Sequence, residues 1–258
     1  MELQNKRIIV TGCASGMGAA TVRSYVNAGA QVVGMDIVDD AGRKVCADAA
    51  ANGSGDVTYV SIDIADSDSV TEAFAQASEH LGGLDALAHP AAIHASSTPD
   101  DVTVAAWDHM FAVNVRGTML TNQAAYELLK VSGGGAIINF GSMSAQRPEP
   151  TAAAYSAAKG AIHSWTRTAS GAWGADGVRV NAVLPAIKTP MFQTAWDQST
   201  EEQQTEKYWR NMQGIAMGQD YGDPDRDLGP VMVFLASDGS RFITGQLIPV
   251  DGGQGHVR

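Results

Sequence analysis

Arg7-Ile-Ile-Val-Thr-Gly-Cys-Ala-Ser-Gly-Met-Gly18 decides the fold. Its first five residues, Arg7–Thr11, are a short apolar run that reads as a strand. Glycines 12, 16 and 18 fall where that strand turns into a helix expected over 16–28. Glycine lets a backbone approach a pyrophosphate closely, and a helix N-terminus offers free N–H groups and positive potential to an anion. A tight strand-to-helix turn without a ligand would use the same residues; the position straight after a first strand favours the nucleotide reading.

Outward from this turn, short apolar runs alternate with longer helical patterns. Strands are expected at 31–36, 57–62, 84–88, 136–140, 178–184 and 246–250, and helices at 41–51, 69–80, 102–113, 117–131, 152–171 and 225–235. Short buried runs alternating with helices imply βαβ units, hence an α/β fold with a mainly parallel sheet covered on both faces. The one compositional break is 192–221, polar and rich in Gln, Glu and Asp but holding Trp196, Tyr208, Trp209 and Met212. It reads as a helical lid inserted at about 190–221 into a single domain spanning residues 1–258, with no repeat and no linker.

Two carboxylates follow strand ends. Asp36 stands 18 residues after Gly18. There it can accept hydrogen bonds from adenosine ribose hydroxyls, and it repels a 2′-phosphate. No Lys or Arg occurs within the glycine turn or just after Asp36, so NAD is favoured over NADP. Asp63, after the third strand, sits where an adenine edge is met, or caps the helix that begins near Ser67–Ser69.

Further along, Tyr155-Ser-Ala-Ala-Lys159 spaces a phenol and an ammonium four residues apart, on one helical face. An ammonium near a phenol favours the phenolate and lowers its pKa. A tyrosine so tuned exchanges a proton near neutral pH, as alcohol–ketone chemistry requires. Ser142 lies 13 residues upstream.

The bulk composition narrows the alternatives. The 258 residues carry a formal net charge of -11, with a pI near 4.8, which argues against nucleic acid and anionic membranes as partners. The two cysteines, Cys13 and Cys46, make no disulfide framework and no metal-ligand spacing. No metal is expected. The first residues show no signal-peptide apolar core, and no apolar run is long enough to span a bilayer. Cytoplasm is the expected location.

Together these residues resemble a classical short-chain dehydrogenase/reductase over nearly the whole chain. The matching pieces are Thr11 to Gly18, Asp36, Asp63-Ile64, Asn114-Val-Arg-Gly117, Ile137-Ile-Asn-Phe-Gly-Ser142, Tyr155 to Lys159, Arg179-Val-Asn-Ala182 and Gly245 to Gly253. The resemblance implies a Rossmann-type doubly wound sheet of about seven strands in the order 3-2-1-4-5-6-7. It implies that Tyr155 is the general acid/base and that Lys159 lowers its pKa and binds the nicotinamide ribose. It further implies that Ser142 hydrogen-bonds the substrate oxygen and Asn114 holds a water linking Lys159 to solvent. Cofactor contacts are implied at Gly12, Ser15, Gly16, Met17, Gly18, Asp36, Ile37, Asp63, Ile64, Ala91, Tyr155, Lys159 and Thr189. Singly, the blander readings stand: a helix pair for Tyr155 and Lys159, a turn residue for Ser142, a helix breaker for Asn114.

Two stretches depart from the family pattern. After the fourth strand the family usually has Asn-Asn-Ala-Gly, whereas His89-Pro90-Ala91-Ala92 stands here. Proline lacks a donor and fixes φ, and alanine disfavours φ > 0, so a different loop path is expected. His89 reads as a hydrogen-bonded packing residue sooner than as a second titrating group. Pro185-Ala186-Ile187-Lys188-Thr189 is one residue shorter than usual, and Thr189 is the candidate contact to the nicotinamide carboxamide.

The expected function is NAD-dependent interconversion of a secondary alcohol and a ketone. The lid pairs Phe192/Trp196 and Tyr208/Met212 suggest an apolar cyclic or aromatic substrate that also meets Met191 and Trp209. A non-catalytic NAD(H)-sensing regulator and a dehydratase or epimerase on the same scaffold are the alternatives. A homotetramer is expected from the resemblance and from the apolar-faced helices at 117–131 and 152–171.

Overall fold

The chain alternates strand and helix in the computed structural model, which describes residues 1–255 apart from the side chains of Met191, Ala195, Lys207, Trp209 and Arg210. It runs β1 (Arg7–Thr11), α1 (Gly16–Asn27), β2 (Gln31–Asp36), α2 (Asp39–Asn52), β3 (Asp56–Ser61), α3 (Ser67–Leu81) and β4 (Ala86–His89). Then come α4 (Val104–Phe111), α5 (Gly117–Val131), β5 (Gly135–Phe140), α6 (Ala153–Trp173) and β6 (Val178–Pro185). The series ends with α7 (Pro190–Asp197), α8 (Glu201–Lys207), α9 (Gly229–Ala236) and β7 (Leu247–Val250). The strands form one parallel sheet of seven in the order β3-β2-β1-β4-β5-β6-β7. This is the doubly wound order expected above.

Strand periodicity splits the apolar residues between two cores. Ile8 and Val10 of β1 join Val32, Ala88 and Ile138 on the face covered by α1, α2 and α9, where Val22, Tyr25, Cys46 and Met232 pack. Ile9 joins Val33, Leu87, Ile137 and Val180 on the other face, under Phe74 of α3, Leu129 of α5 and Ala169 of α6. Fully burying one such aliphatic side chain contributes about 1.5–3 kcal/mol, and each face holds more than a dozen.

Polar residues inside the sheet fix the elements that carry the site. Asn139 of β5 and Asn122 of α5 exchange two amide hydrogen bonds of 3.0 Å each. Asn139 also donates to Thr166 of α6, and Trp165 donates to Asn122. The end of β5 and the face of α6 are thereby held in register, so Ser142 and Tyr155 keep a fixed relation. At the opposite end of the sheet the Arg7 guanidinium grips Asp85, at 2.9 Å, and ties β1 to the start of β4.

Two helices depart from the expected form. The pattern over 102–113 gives α4 and then a π turn, Ala112–Arg116, which runs directly into α5. The pattern over 225–235 begins as another π turn, Pro224–Leu228, before α9. A π turn inserts one residue and turns a side chain off the helical face, a displacement that apolar periodicity cannot register. The first of these turns carries Asn114.

Candidate active site

The carboxyl ends of β1 and β4 border the crevice where strand order reverses, the place ligands occupy in open α/β sheets. Gly12 has φ +63°, and a Cβ there would come 2.7 Å from the Cα of Ala91. Gly18 packs so closely that a Cβ would collide with the Gly12 carbonyl. Only glycine fits either position. Ser15 caps α1 without a side-chain hydrogen bond, and no acidic residue lies in the first turn. The first-turn N–H groups of α1 are thus left without a capping oxygen from Ser15, which suits a pyrophosphate. Met17 packs beneath this turn and Gly16 approaches the Thr189 methyl group across the cleft, at 3.6 Å from a notional Cβ.

Asp36 holds the turn from the side. One carboxylate oxygen accepts from the Ala14 N–H (2.9 Å) and the other from the Val38 N–H (3.0 Å). Ile37 beside it is 65% exposed. Asp63 is exposed, and its carboxylate accepts from the Ala65 N–H. The cap of α3 is Asp66, which accepts from the Asp68 and Ser69 N–H groups, so Asp63 is not the helix cap. The Ile64 side chain is buried in the core against Gly117, which leaves its backbone on the side of the cleft. Thr189 accepts from the Phe192 N–H as the cap of α7.

Ser142, Tyr155 and Lys159 converge at the end of β5. The Tyr155 and Lys159 side chains lie one turn apart on α6, with Nζ 5.5 Å from the centre of the phenol ring. Nζ donates to the Phe140 carbonyl at 2.6 Å. Ser142 Oγ accepts from both the N–H and the hydroxyl of Ser144, at 3.1 and 2.8 Å. Burial raises the Tyr155 pKa, and the hydrogen-bonding influence of Ser142 offsets only part of it. The Lys159 ammonium, tied to the Phe140 carbonyl, stands beside the phenol ring. Burial brings the Lys159 pKa itself down to about 8.

Asn114 is buried, and both ends of its amide grip Ile93: Oδ1 accepts from the Ile93 N–H and Nδ2 donates to the Ile93 carbonyl, each at 2.9 Å. Nδ2 also approaches the Met110 sulfur, and the Asn114 carbonyl accepts from Thr118. Through these bonds the side chain clamps the loop after β4. His89 is buried, with Nδ1 bonded to Thr11 (2.8 Å) and Thr121 (3.2 Å). Burial and the Lys159 charge push its pKa down to about 3, so it is a neutral packing residue.

A family model described as enoyl-(acyl carrier protein) reductase matches residues 12–254, nearly the whole chain. The chain belongs to the short-chain dehydrogenase/reductase family. It is 34% identical over 254 residues to a meso-2,3-butanediol dehydrogenase of Serratia marcescens, spanning 98% of this chain and 96% of that one. It is also 34% identical over 253 residues to the 2,5-dichloro-2,5-cyclohexadiene-1,4-diol dehydrogenase LinX of Sphingobium indicum, spanning 98% and 97%. A short-chain type dehydrogenase/reductase from Mycobacterium ulcerans superposes with a TM-score of 0.91 at 28% identity, over 98% of this chain and 91% of that one. Like its family, this chain is an alcohol/ketone oxidoreductase that works with a nicotinamide cofactor.

Within this short-chain dehydrogenase/reductase, sequence reasoning missed four residues at the site. His163, four residues beyond Lys159 on α6, is buried and its Nε2 accepts from the Ser142 N–H at 3.2 Å. Burial and the nearby Arg167 and Lys159 charges bring its pKa down to about 4, so it stays neutral and keeps the Ser142 backbone in place. The extension of the Tyr155/Lys159 face by one turn was the available signal. Ser144 holds Ser142 Oγ from two sides, as above. His94 packs edge-on against the Tyr155 ring at 4.7 Å, and Glu149 lies in the turn beyond Ser142. Neither shares a period with the residues already identified.

The segment after β6 supplies an aromatic wall. Phe192 meets Trp196 at 5.8 Å and Tyr221 edge-on at 4.8 Å. Met212 and Ile215 are buried, and Tyr208 donates to Gln219. The side chains of Met191 and Trp209, expected to line the pocket, lie outside the described residues. A groove of about 860 Å³ lies elsewhere: Phe111, Val115, Met119, Ile162 and Trp165 line it between α4, α5 and α6.

Proposed function

We propose that this enzyme is an NAD-dependent dehydrogenase interconverting a secondary alcohol and a ketone on a largely apolar, cyclic or aromatic carbon frame. The observation that carries this is the convergence of Tyr155, Lys159 and Ser142 at the strand ends beside a glycine turn that only glycine fits. Bound NAD supplies a hydride acceptor, or as NADH a donor. In oxidation, Tyr155 takes the hydroxyl proton as hydride leaves the carbinol carbon. Ser142 Oγ, oriented by the two Ser144 donors, hydrogen-bonds the same oxygen. Lys159 holds positive charge beside the phenol and favours its ionised form.

Gly12, Ser15, Gly16, Met17 and Gly18 would hold the pyrophosphate, and Asp36 and Ile37 the adenosine ribose. Asp63, the Ile64 backbone and Ala91 would line the adenine and nicotinamide sides, with Thr189 at the carboxamide. NAD is preferred because Asp36, Asp39 and Asp40 cluster where a 2′-phosphate would sit. The first basic side chain after them, Arg43, lies over the Tyr59 ring at 4.9 Å. The two relatives named above are both called diol dehydrogenases, which supports alcohol oxidation. The segment 190–221 acts as a lid, and the apolar groove between α4, α5 and α6 suits a second copy of the chain, in line with a homotetramer.

The test is a spectrophotometric screen of aliphatic, alicyclic and aromatic secondary alcohols with NAD⁺ and NADP⁺. NADH formation on at least one class is expected. Binding of NADH with no turnover on any of them would leave the sensing role; product without net NADH change would indicate dehydration or epimerisation.

A further inference from the structure

We propose that His94 and Glu149 form a second polar anchor beside the reacting hydroxyl, and that the substrate is a diol or polyol whose neighbouring hydroxyl this pair holds. The proposal rests on the alcohol–ketone reading above and names its substrate class.

The two residues come from different loops that the backbone laces together. The Ser97 N–H donates to the Thr151 carbonyl and the Ala153 N–H donates to the Ser97 carbonyl, each at 3.0 Å, forming a parallel bridge between Ser97 and Ala152. The Ala152 N–H in turn donates to the Glu149 carbonyl at 3.1 Å. The Asn114 clamp on Ile93 fixes the other end of the same loop. His94 therefore stands between two anchored points, with its ring edge-on to the Tyr155 ring at 4.7 Å. Lys159 flanks the phenol as well, but it is buried and tied to Phe140, whereas His94 is exposed to the cleft.

Glu149 carries the second part of the argument. Its side chain is only 19% exposed, yet among the described residues no group donates a hydrogen bond to its carboxylate. The nearest cation is Arg147 at 3.9 Å, and that guanidinium is engaged by Asn211 at 3.3 Å. The carboxylate oxygens are not sealed from solvent in the cleft, and a substrate that displaces that solvent must bring a donor in its place; a hydroxyl is the donor that meets the need. The Glu149 charge reaches both His94 and Tyr221. Tyr221 belongs to the aromatic wall with Phe192, so the polar pair and the aromatic wall flank the same cleft. Partial desolvation beside the Tyr155 ring lowers the His94 pKa, with Glu149 opposing and Lys159 reinforcing it, which favours the neutral imidazole that both donates and accepts.

A purely apolar ring leaves Glu149 unsatisfied. A hydroxylated carbon frame satisfies both walls: its carbons face Phe192 and Trp196, its reacting hydroxyl faces Tyr155 and Ser142, and its neighbouring hydroxyl donates to Glu149 beside His94. A site whose polar group awaits a substrate hydroxyl discriminates strongly against the analogue that lacks it.

The experiment compares kcat/KM for cis-cyclohexane-1,2-diol and cyclohexanol with NAD⁺ in the unmodified enzyme, Glu149→Gln and His94→Phe. NADH affinity by fluorescence reports that each variant is folded. The unmodified enzyme should prefer the diol by roughly 10- to 100-fold, the scale of a hydrogen bond to a charged group. Each variant should bring the ratio to within about threefold of unity, chiefly through a higher KM for the diol. A ratio near unity in the unmodified enzyme, or a diol preference that survives both substitutions, overturns the anchor while leaving alcohol oxidation intact. Failure to oxidise either alcohol while another secondary alcohol of the screen is oxidised overturns the anchor alone; failure across the whole screen overturns the alcohol–ketone reading with it.

Discussion

Lys159 Nζ lies 5.5 Å from the centre of the Tyr155 ring, yet its short hydrogen bond, 2.6 Å, runs to the Phe140 carbonyl and not to the phenol. The two residues thus have separable roles. Tyr155→Phe removes the proton-transferring oxygen and should lower kcat by at least ~10²-fold with NADH affinity nearly unchanged. Lys159→Met should weaken both turnover and NADH binding. A Tyr155→Phe enzyme that keeps more than about a tenth of its activity would disprove the assignment.

Cofactor choice is predicted from Asp36. The unmodified enzyme should show a higher kcat/KM with NAD⁺ than with NADP⁺. Asp36→Ala combined with Ile37→Arg replaces a repelling carboxylate and an exposed isoleucine by a cation, and should shift use toward NADP⁺. Equal kcat/KM for both cofactors in the unmodified enzyme would contradict this.

Stability should fall in mild acid. His89 and His163 are neutral in the fold, with pKa values of about 3 and about 4, against 6.5 for a free histidine. Below about pH 6.5 the unfolded chain gains protons that the folded one refuses, so their contribution is complete above that pH and is lost as pH falls toward 4. Each histidine should cost on the order of 1.4 kcal/mol per pH unit in that window. Urea midpoints at pH 7, 6 and 5 should decline, and His163→Gln should flatten the decline. An unchanged slope in that variant would exclude His163 as a source.

The helical excursion after β6 should open and close. Hydrogen exchange across 192–217 should slow when NADH and a substrate analogue are bound. Trp196→Ala should raise KM for bulky alcohols more than for small ones. Exchange that is equally slow in both states would exclude a moving lid.

Self-association is expected through the apolar groove between α4, α5 and α6. Light scattering should give a tetramer, and Val115→Asp should dissociate it. A stable monomer of 26.9 kDa at micromolar concentration would contradict this.

The sheet was legible because its central strands bury both faces, so apolar runs and glycine turns mark it directly; β1, β2 and α5 lie within the expected bounds. Tyr155 and Lys159 were legible because four residues make one helical turn. The π turn at Asn114 was hidden, since an inserted residue leaves composition unchanged. The loops of His94 and Glu149 are joined by the bridge between Ser97 and Ala152, a non-local pairing with no sequence period. Burial also acts on the Tyr155 phenol, in the sense opposite to a neighbouring cation, and burial leaves no mark in the local spacing.

Gly12 touches Ala91, and Ile93, two residues on, is the one Asn114 grips. The glycine turn and the loop after β4 are therefore mechanically continuous. A nucleotide seated against Gly12 would bear on Ala91 and, through it, on the path of His94 before any alcohol enters. A sequential, ordered reaction is the expected kinetic outcome, with the nucleotide binding first and departing last. Product-inhibition patterns should then be competitive for NADH against NAD⁺ and noncompetitive for the ketone against the alcohol.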